Sequence, residues 1–151
     1  MKHLLLVAHA PSENTQRLLQ ALLEGARETD SIQITHKAPL DTVPDDAQHA
    51  DAVILFTPEN LGYMSGAMKD FFDRCYYPLL ESKQGLPCAI VIRAGHDGTG
   101  TRRALDSILT GLKWKQVQEP LVLRGEWQES FIEQCHTLGA SMAAGVEMGI
   151  Y

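Results

Sequence analysis

Short, unbroken apolar runs alternate with longer stretches of helical spacing along the whole chain, and no other pattern in it restricts the fold as much. Leu4 to Ala8 is one such run, as a strand covered on both faces requires. Residues 15–28 then place Leu18, Leu19, Leu22, Leu23 and Ala26 on one helical face. Ile32 to Thr35 alternates apolar and polar residues, a second and less buried strand, and 39–46 is a Pro- and Asp-rich connection. Val53 to Phe56 gives a third strand, followed by a helix over 67–80 with Met68, Phe71, Phe72 and Cys75 on one side. Gly85-Leu86-Pro87 turns the chain into a fourth strand, Cys88 to Ile92. A helix over 101–112, a fifth strand over Pro120 to Leu123 and a last helix from Gln128 to about Gly145 complete the series.

Five β units alternating with helices predict a parallel sheet whose right-handed crossovers place helices on both faces, a three-layer α/β/α sandwich. Five strands suit the order 2-1-3-4-5, with the switch point between the first and third strands. The loops after strands one, three and four then share one edge. The length fits one domain, 1–151.

Composition narrows the class. A chain with 44% hydrophobic and 21% charged residues has the make-up of an ordinary globular protein. The net charge of −6 argues against nucleic acid, which selects a basic face. Cys75, Cys88 and Cys135 are odd in number and widely spaced, so they read as reduced, buried thiols of a cytoplasmic protein and not as disulfides or metal ligands. The apolar run after Lys2 is too short for a secretory leader, and no stretch approaches the roughly 18 residues of a membrane span.

The unusual residues gather on the three loops of the predicted edge. After strand one, His9-Ala10-Pro11-Ser12-Glu13-Asn14-Thr15 feeds into a helix whose free amides and dipole favour an anion without any Arg or Lys. The same residues also read as a plain N-cap. After strand three comes Thr57 to Asp73, TPENLGYMSGAMKDFFD, a Pro- and Gly-punctuated loop that opens a helix. After strand four comes Arg93-Ala94-Gly95-His96-Asp97-Gly98-Thr99-Gly100-Thr101, whose glycines permit close backbone approach.

The second of these loops resembles the flavin loop of flavodoxin-like quinone reductases of the WrbA type. Ser12 to Thr15 is similar to the flavodoxin phosphate loop, with Glu13 where a Gly is common, and the third loop resembles the one that meets the pyrimidine edge of the ring. The resemblance runs from Lys2 to about Gly111. It implies a flavodoxin-like fold and an FMN site. The phosphate would sit at His9, Pro11, Ser12, Asn14 and Thr15. The ring would sit against Pro58, Glu59, Asn60, Leu61, Gly62, Tyr63 and Met64, and against Gly95, His96, Asp97, Gly98 and Thr99.

The implied activity is NAD(P)H-dependent reduction of a quinone or a similar small acceptor, with the flavin carrying the chemistry and no catalytic side chain or metal. A one-electron carrier of the flavodoxin type and a flavin-free interaction domain are the alternatives. A nucleoside-triphosphate loop, a receiver aspartate after strand three, H-E-x-x-H and G-x-S-x-G are all missing. Trp114 and Trp127 are expected far from the loops, as packing or interface residues. Tyr76 and Tyr77 suit a subunit contact in a homo-oligomer.

Overall fold

Each apolar run becomes a strand of one sheet in the computed structural model, which describes residues 1–151. The elements are β1 (His3–Ala8), α1 (Glu13–Ala26), β2 (Gln33–Lys37), α2 (Pro44–Gln48), β3 (Ala52–Asn60) and β4 (Tyr63–Met64). They continue with α3 (Gly66–Leu79), β5 (Pro87–Ala94), α4 (Thr99–Leu112), β6 (Lys115–Gln116), β7 (Leu121–Arg124) and α5 (Ser130–Met148). The parallel order is β2-β1-β3-β5, with β6 and β7 both pairing with the outer side of β5. Counting β6 and β7 as one interrupted strand recovers the expected 2-1-3-4-5. The interruption holds Pro120, which has no amide to give to a ladder.

Strand periodicity divides the core into two layers. Leu4, Leu6, Ala52, Ile54, Phe56, Ala89 and Val91 face α1 and α5. Leu5, Val7, Val53, Leu55, Cys88, Ile90 and Ile92 face α3 and α4. Successive residues point to opposite faces, so a run buried on both sides must be apolar throughout. On the first face, α1 and α5 cross with backbones nearly touching. A β-carbon on Gly25 would overlap the His136 carbonyl, and one on Gly139 would overlap that of Leu22. All three cysteines are free and buried, and burial pushes the Cys88 and Cys135 thiols up to about 12.

Three segments differ from the sequence expectation. The 39–46 connection holds a 3-10 turn, Pro39–Asp41, and runs into the short helix α2, both too brief for a periodic signal. Arg74 of α3 fastens it by donating to the carbonyls of Thr42 (2.7 Å) and Pro39 (2.8 Å). The third strand runs four residues past Phe56, to Asn60. The fifth is divided, as above. No helix is long and apolar enough to cross a membrane.

Candidate functional site

Strand β1 lies between β2 and β3, so the connections leave β1 and β3 in opposite directions and open a crevice at their carboxyl ends. Four loops border that edge: 9–12 after β1, the β3–β4 hairpin, 95–98 after β5, and 125–129 after β7.

The first loop is held by a reciprocal cap. Ser12 is the N-cap of α1, and its Oγ accepts from the Thr15 amide (3.1 Å) while the Ser12 amide donates to Thr15 Oγ1 (2.9 Å). The Thr15 hydroxyl also donates to the Ser12 carbonyl (3.0 Å). Both hydroxyls are therefore engaged within the loop. Gln16 Nε2 holds the Ala10 carbonyl (2.6 Å), and the His9 amide donates to Phe56 (3.0 Å). The amides of Glu13 and Asn14, in the first turn, have no acceptor in the chain. Exposed Glu13 lies along the outer face of α1 with Gln16, Arg17 and Gln20.

The second loop is a β-hairpin. Glu59 pairs with Met64 and Asn60 with Tyr63, so Pro58 to Met64 is a hairpin stem and turn rather than an open loop. Leu61 (φ 53°) and Gly62 (φ 74°) form its two-residue turn, with the positive φ angles that match strand twist. Thr57, fully buried, closes the base by donating to Pro58 (2.8 Å) and accepting from the Ser65 amide (3.0 Å). Ser65 in turn caps α3 through the Met68 amide (3.2 Å). Met64 is buried, whereas Leu61 is fully exposed and Tyr63 partly so. The Gly62 carbonyl rests directly on Gly100 of α4, where a β-carbon would overlap it.

The third loop is fastened on three sides. The amides of His96 and Gly98 donate to Glu59 Oε1 (3.0 Å) and Oε2 (2.9 Å). The Asp97 carbonyl accepts from Arg124 Nε (2.6 Å), and its carboxylate accepts from the Thr99 amide (3.0 Å), which holds that carboxyl below the usual range. Gly98 adopts φ 70° against Val122, where a β-carbon would lie 2.7 Å from a methyl. Arg93 braces the base by donating to Ala94 (2.8 Å), Leu123 (3.1 Å) and Gly125 (2.7 Å) under the Phe131 ring. Burial lowers its pKa. The His96 and Gly98 amides are thus engaged within the chain. Their partner lies 37 and 39 residues away, beyond any local pattern.

The fourth loop holds a residue that packs against the core as expected, yet not where the sequence put it. Trp127 is at the same edge, not remote. The Arg17 guanidinium lies 5.2 Å from its ring centroid, and Glu129 accepts from both Arg17 (2.8 Å) and Trp127 Nε1 (3.2 Å). Its position just after the last strand was the available signal. Trp114 is buried beyond the end of α4.

The chemistry of this edge fits a phosphate-bearing planar group. Two unpartnered amides at a helix N-terminus suit an anion. A β-carbon on Gly62 or Gly95 would meet no atom, so backbone there lies open to a flat surface.

The family model described as NADPH-dependent FMN reductase matches residues 1–129. A protein named flavodoxin from Aquifex aeolicus (strain VF5) is 29% identical over 112 residues, 74% of this chain and 60% of that protein. A protein named NAD(P)H dehydrogenase (quinone) from Acidithiobacillus ferrooxidans (strain ATCC 53993 / BNL-5-31) is 29% identical over 94 residues, 49% of this chain and 47% of that one. The chain thus spans about half to three fifths of the length of these curated relatives. Among solved structures, an archaeal flavodoxin superposes with a TM-score of 0.81 at 18% identity, covering 96% of this chain and 99% of that one. A flavodoxin, WrbA-like protein from Agrobacterium tumefaciens gives 0.78 at 19% identity, covering 98% and 99%. At those identities the shared property is the fold, which is flavodoxin-like.

Proposed function

The chain belongs to the NADPH-dependent FMN reductase family, and from that premise we propose that it is an oxidoreductase using FMN to pass electrons from NAD(P)H to a quinone or similar small acceptor. The unpartnered Glu13 and Asn14 amides at the β1/β3 switch point carry this reading. They would hold the phosphate, with the Ser12–Thr15 cap keeping both amides aimed outward and His9, Pro11 and Asn14 shaping the rim. Bound FMN supplies the redox chemistry, accepting hydride and returning electrons to a second substrate.

The chain's own part is binding and orientation. The hairpin from Pro58 to Met64 and the Gly95–Thr99 loop would flank the ring. Gly62 and Gly95 keep β-carbons out of its way, and Tyr63 walls the approach of the acceptor. No side chain is assigned as nucleophile or general base. A second reading, a one-electron carrier working with a protein partner, is favoured by the similarity to the Aquifex flavodoxin over 74% of the chain.

Two measurements test the proposal. Fluorescence titration should give tighter binding of FMN than of riboflavin, and equal affinities would remove the phosphate assignment. With FMN bound, repeated turnovers of NAD(P)H and a small quinone are expected. FMN binding without NAD(P)H oxidation would move the chain to the carrier reading.

A further inference from the structure

The hairpin and the third loop meet through a single carboxylate. Glu59 gives one oxygen to the His96 amide (3.0 Å) and the other to the Gly98 amide (2.9 Å), and no cation pairs with it. Charge-assisted bonds of this kind are roughly twice as strong as neutral ones. Both sides of the contact are held by further bonds and packing. Strand pairing fixes the hairpin on both sides, Pro58 with Arg93 and Glu59 with Met64, and the Gly62 carbonyl sits on Gly100. The loop is fixed by Arg124, by its own Asp97 cap and by the packing of Gly98 on Val122. Withdrawal of Glu59 would leave two amides bare without any second acceptor in the chain.

We propose that Glu59 is a positioning residue of the flavin site: its carboxylate remains the partner of the His96 and Gly98 amides in the FMN-loaded protein as in the free one. The inference rests on the FMN reading above. It has two consequences. The third loop keeps its shape before the cofactor arrives, so little ordering cost falls on binding. A fixed carboxylate also stays beside the loop that flanks the ring, where it opposes the negative charge gained on reduction. Reduced FMN is then held less tightly, relative to oxidised FMN, than it would be beside a neutral side chain.

The test uses Glu59→Gln and Glu59→Asp. In the FMN-free protein, hydrogen exchange at the His96 and Gly98 amides should speed up at least tenfold in E59Q, because a carboxamide offers one acceptor oxygen and turns its NH2 toward a donor. In the parent, adding FMN should leave protection at those two amides unchanged. In loaded E59Q, the affinity ratio of reduced to oxidised FMN should rise about tenfold, an upward shift of about 30 mV for a two-electron couple. E59D keeps the charge but is too short to reach both amides, so it should lose the protection and hold a parent-like potential. Should E59Q fail to fold, E59D carries the exchange test. Parent-like exchange at His96 and Gly98 in the variants, or an unmoved potential in E59Q, overturns the proposal. A parent that takes up no FMN defeats the FMN reading instead, since exchange in the FMN-free variants still reports on the Glu59 contact.

Discussion

The loop after β1 and the loop after β5 occupy the same sheet edge, and each opens a 14-residue helix. They differ in how the polar groups of the loop itself are used. At the first, the hydroxyls of Ser12 and Thr15 satisfy one another while the amides of Glu13 and Asn14 have no partner. At the third, the amides of His96, Gly98 and Thr99 all have carboxylate acceptors, from Glu59 and Asp97. A polar group without a partner marks where an external ligand has most to gain, because each satisfied donor has less to offer a newcomer. On the proposed reading the first loop serves as the anion seat and the third as a wall, although the Gly100 and Thr101 amides in the first turn of α4 are also without a partner.

The largest effect on this contrast should come from the wall. Gly100→Val would drive a branched side chain into the Gly62 carbonyl. Overpacking of this kind costs about 1–3 kcal/mol, and the hairpin should lift from α4, with FMN affinity falling more than stability. Urea unfolding and an FMN titration read both, and a variant matching the parent in each would mean that the hairpin is not docked.

A smaller and more selective effect belongs to the seat. Ser12→Ala with Thr15→Ala removes the cap, at a stability cost of about 1–2 kcal/mol, and frees the orientation of the Glu13 and Asn14 amides. The preference for FMN over riboflavin should drop by about tenfold, roughly the worth of one charge-assisted bond, while riboflavin affinity barely changes. Equal losses for both ligands would place the phosphate elsewhere.

The smallest effect lies at the hairpin tip. Leu61 holds φ 53° with its side chain fully in solvent, a conformation that asparagine tolerates better. Leu61→Asn should stabilise the protein by up to about 1 kcal/mol, read from the denaturation midpoint, and lower FMN affinity far less than Gly100→Val does. A loss of acceptor turnover with this gain in stability would show that the exposed leucine serves the substrate side.

Much of the fold was legible because its signals are local. The apolar run at Leu4–Ala8 and the stripe from Leu18 to Ala26 report their own structures without reference to any other segment. The hairpin was not legible. Its turn is Leu61-Gly62 in place of the Asn-Gly or Asp-Gly that signals a primed turn, so Pro58 to Met64 read as an irregular loop. Trp127 was misplaced because its partners, Arg17 and Phe131, include one from the far end of the chain. The three candidate loops were marked by their position after strands one, three and four, but the use of each polar group within them was not legible.

By itself, the sequence determined a parallel sheet between two helical layers and the edge on which the distinctive loops gather. Periodicity is a sum over neighbours, and it survives whatever the rest of the chain does. Only the tertiary structure decided which donors remain available. Glu59 reaches its amides across 37 and 39 residues, and Arg17 reaches Glu129 across 112. Such pairings depend on strand register and helix placement at separations of a few ångströms, information that no local window of residues contains.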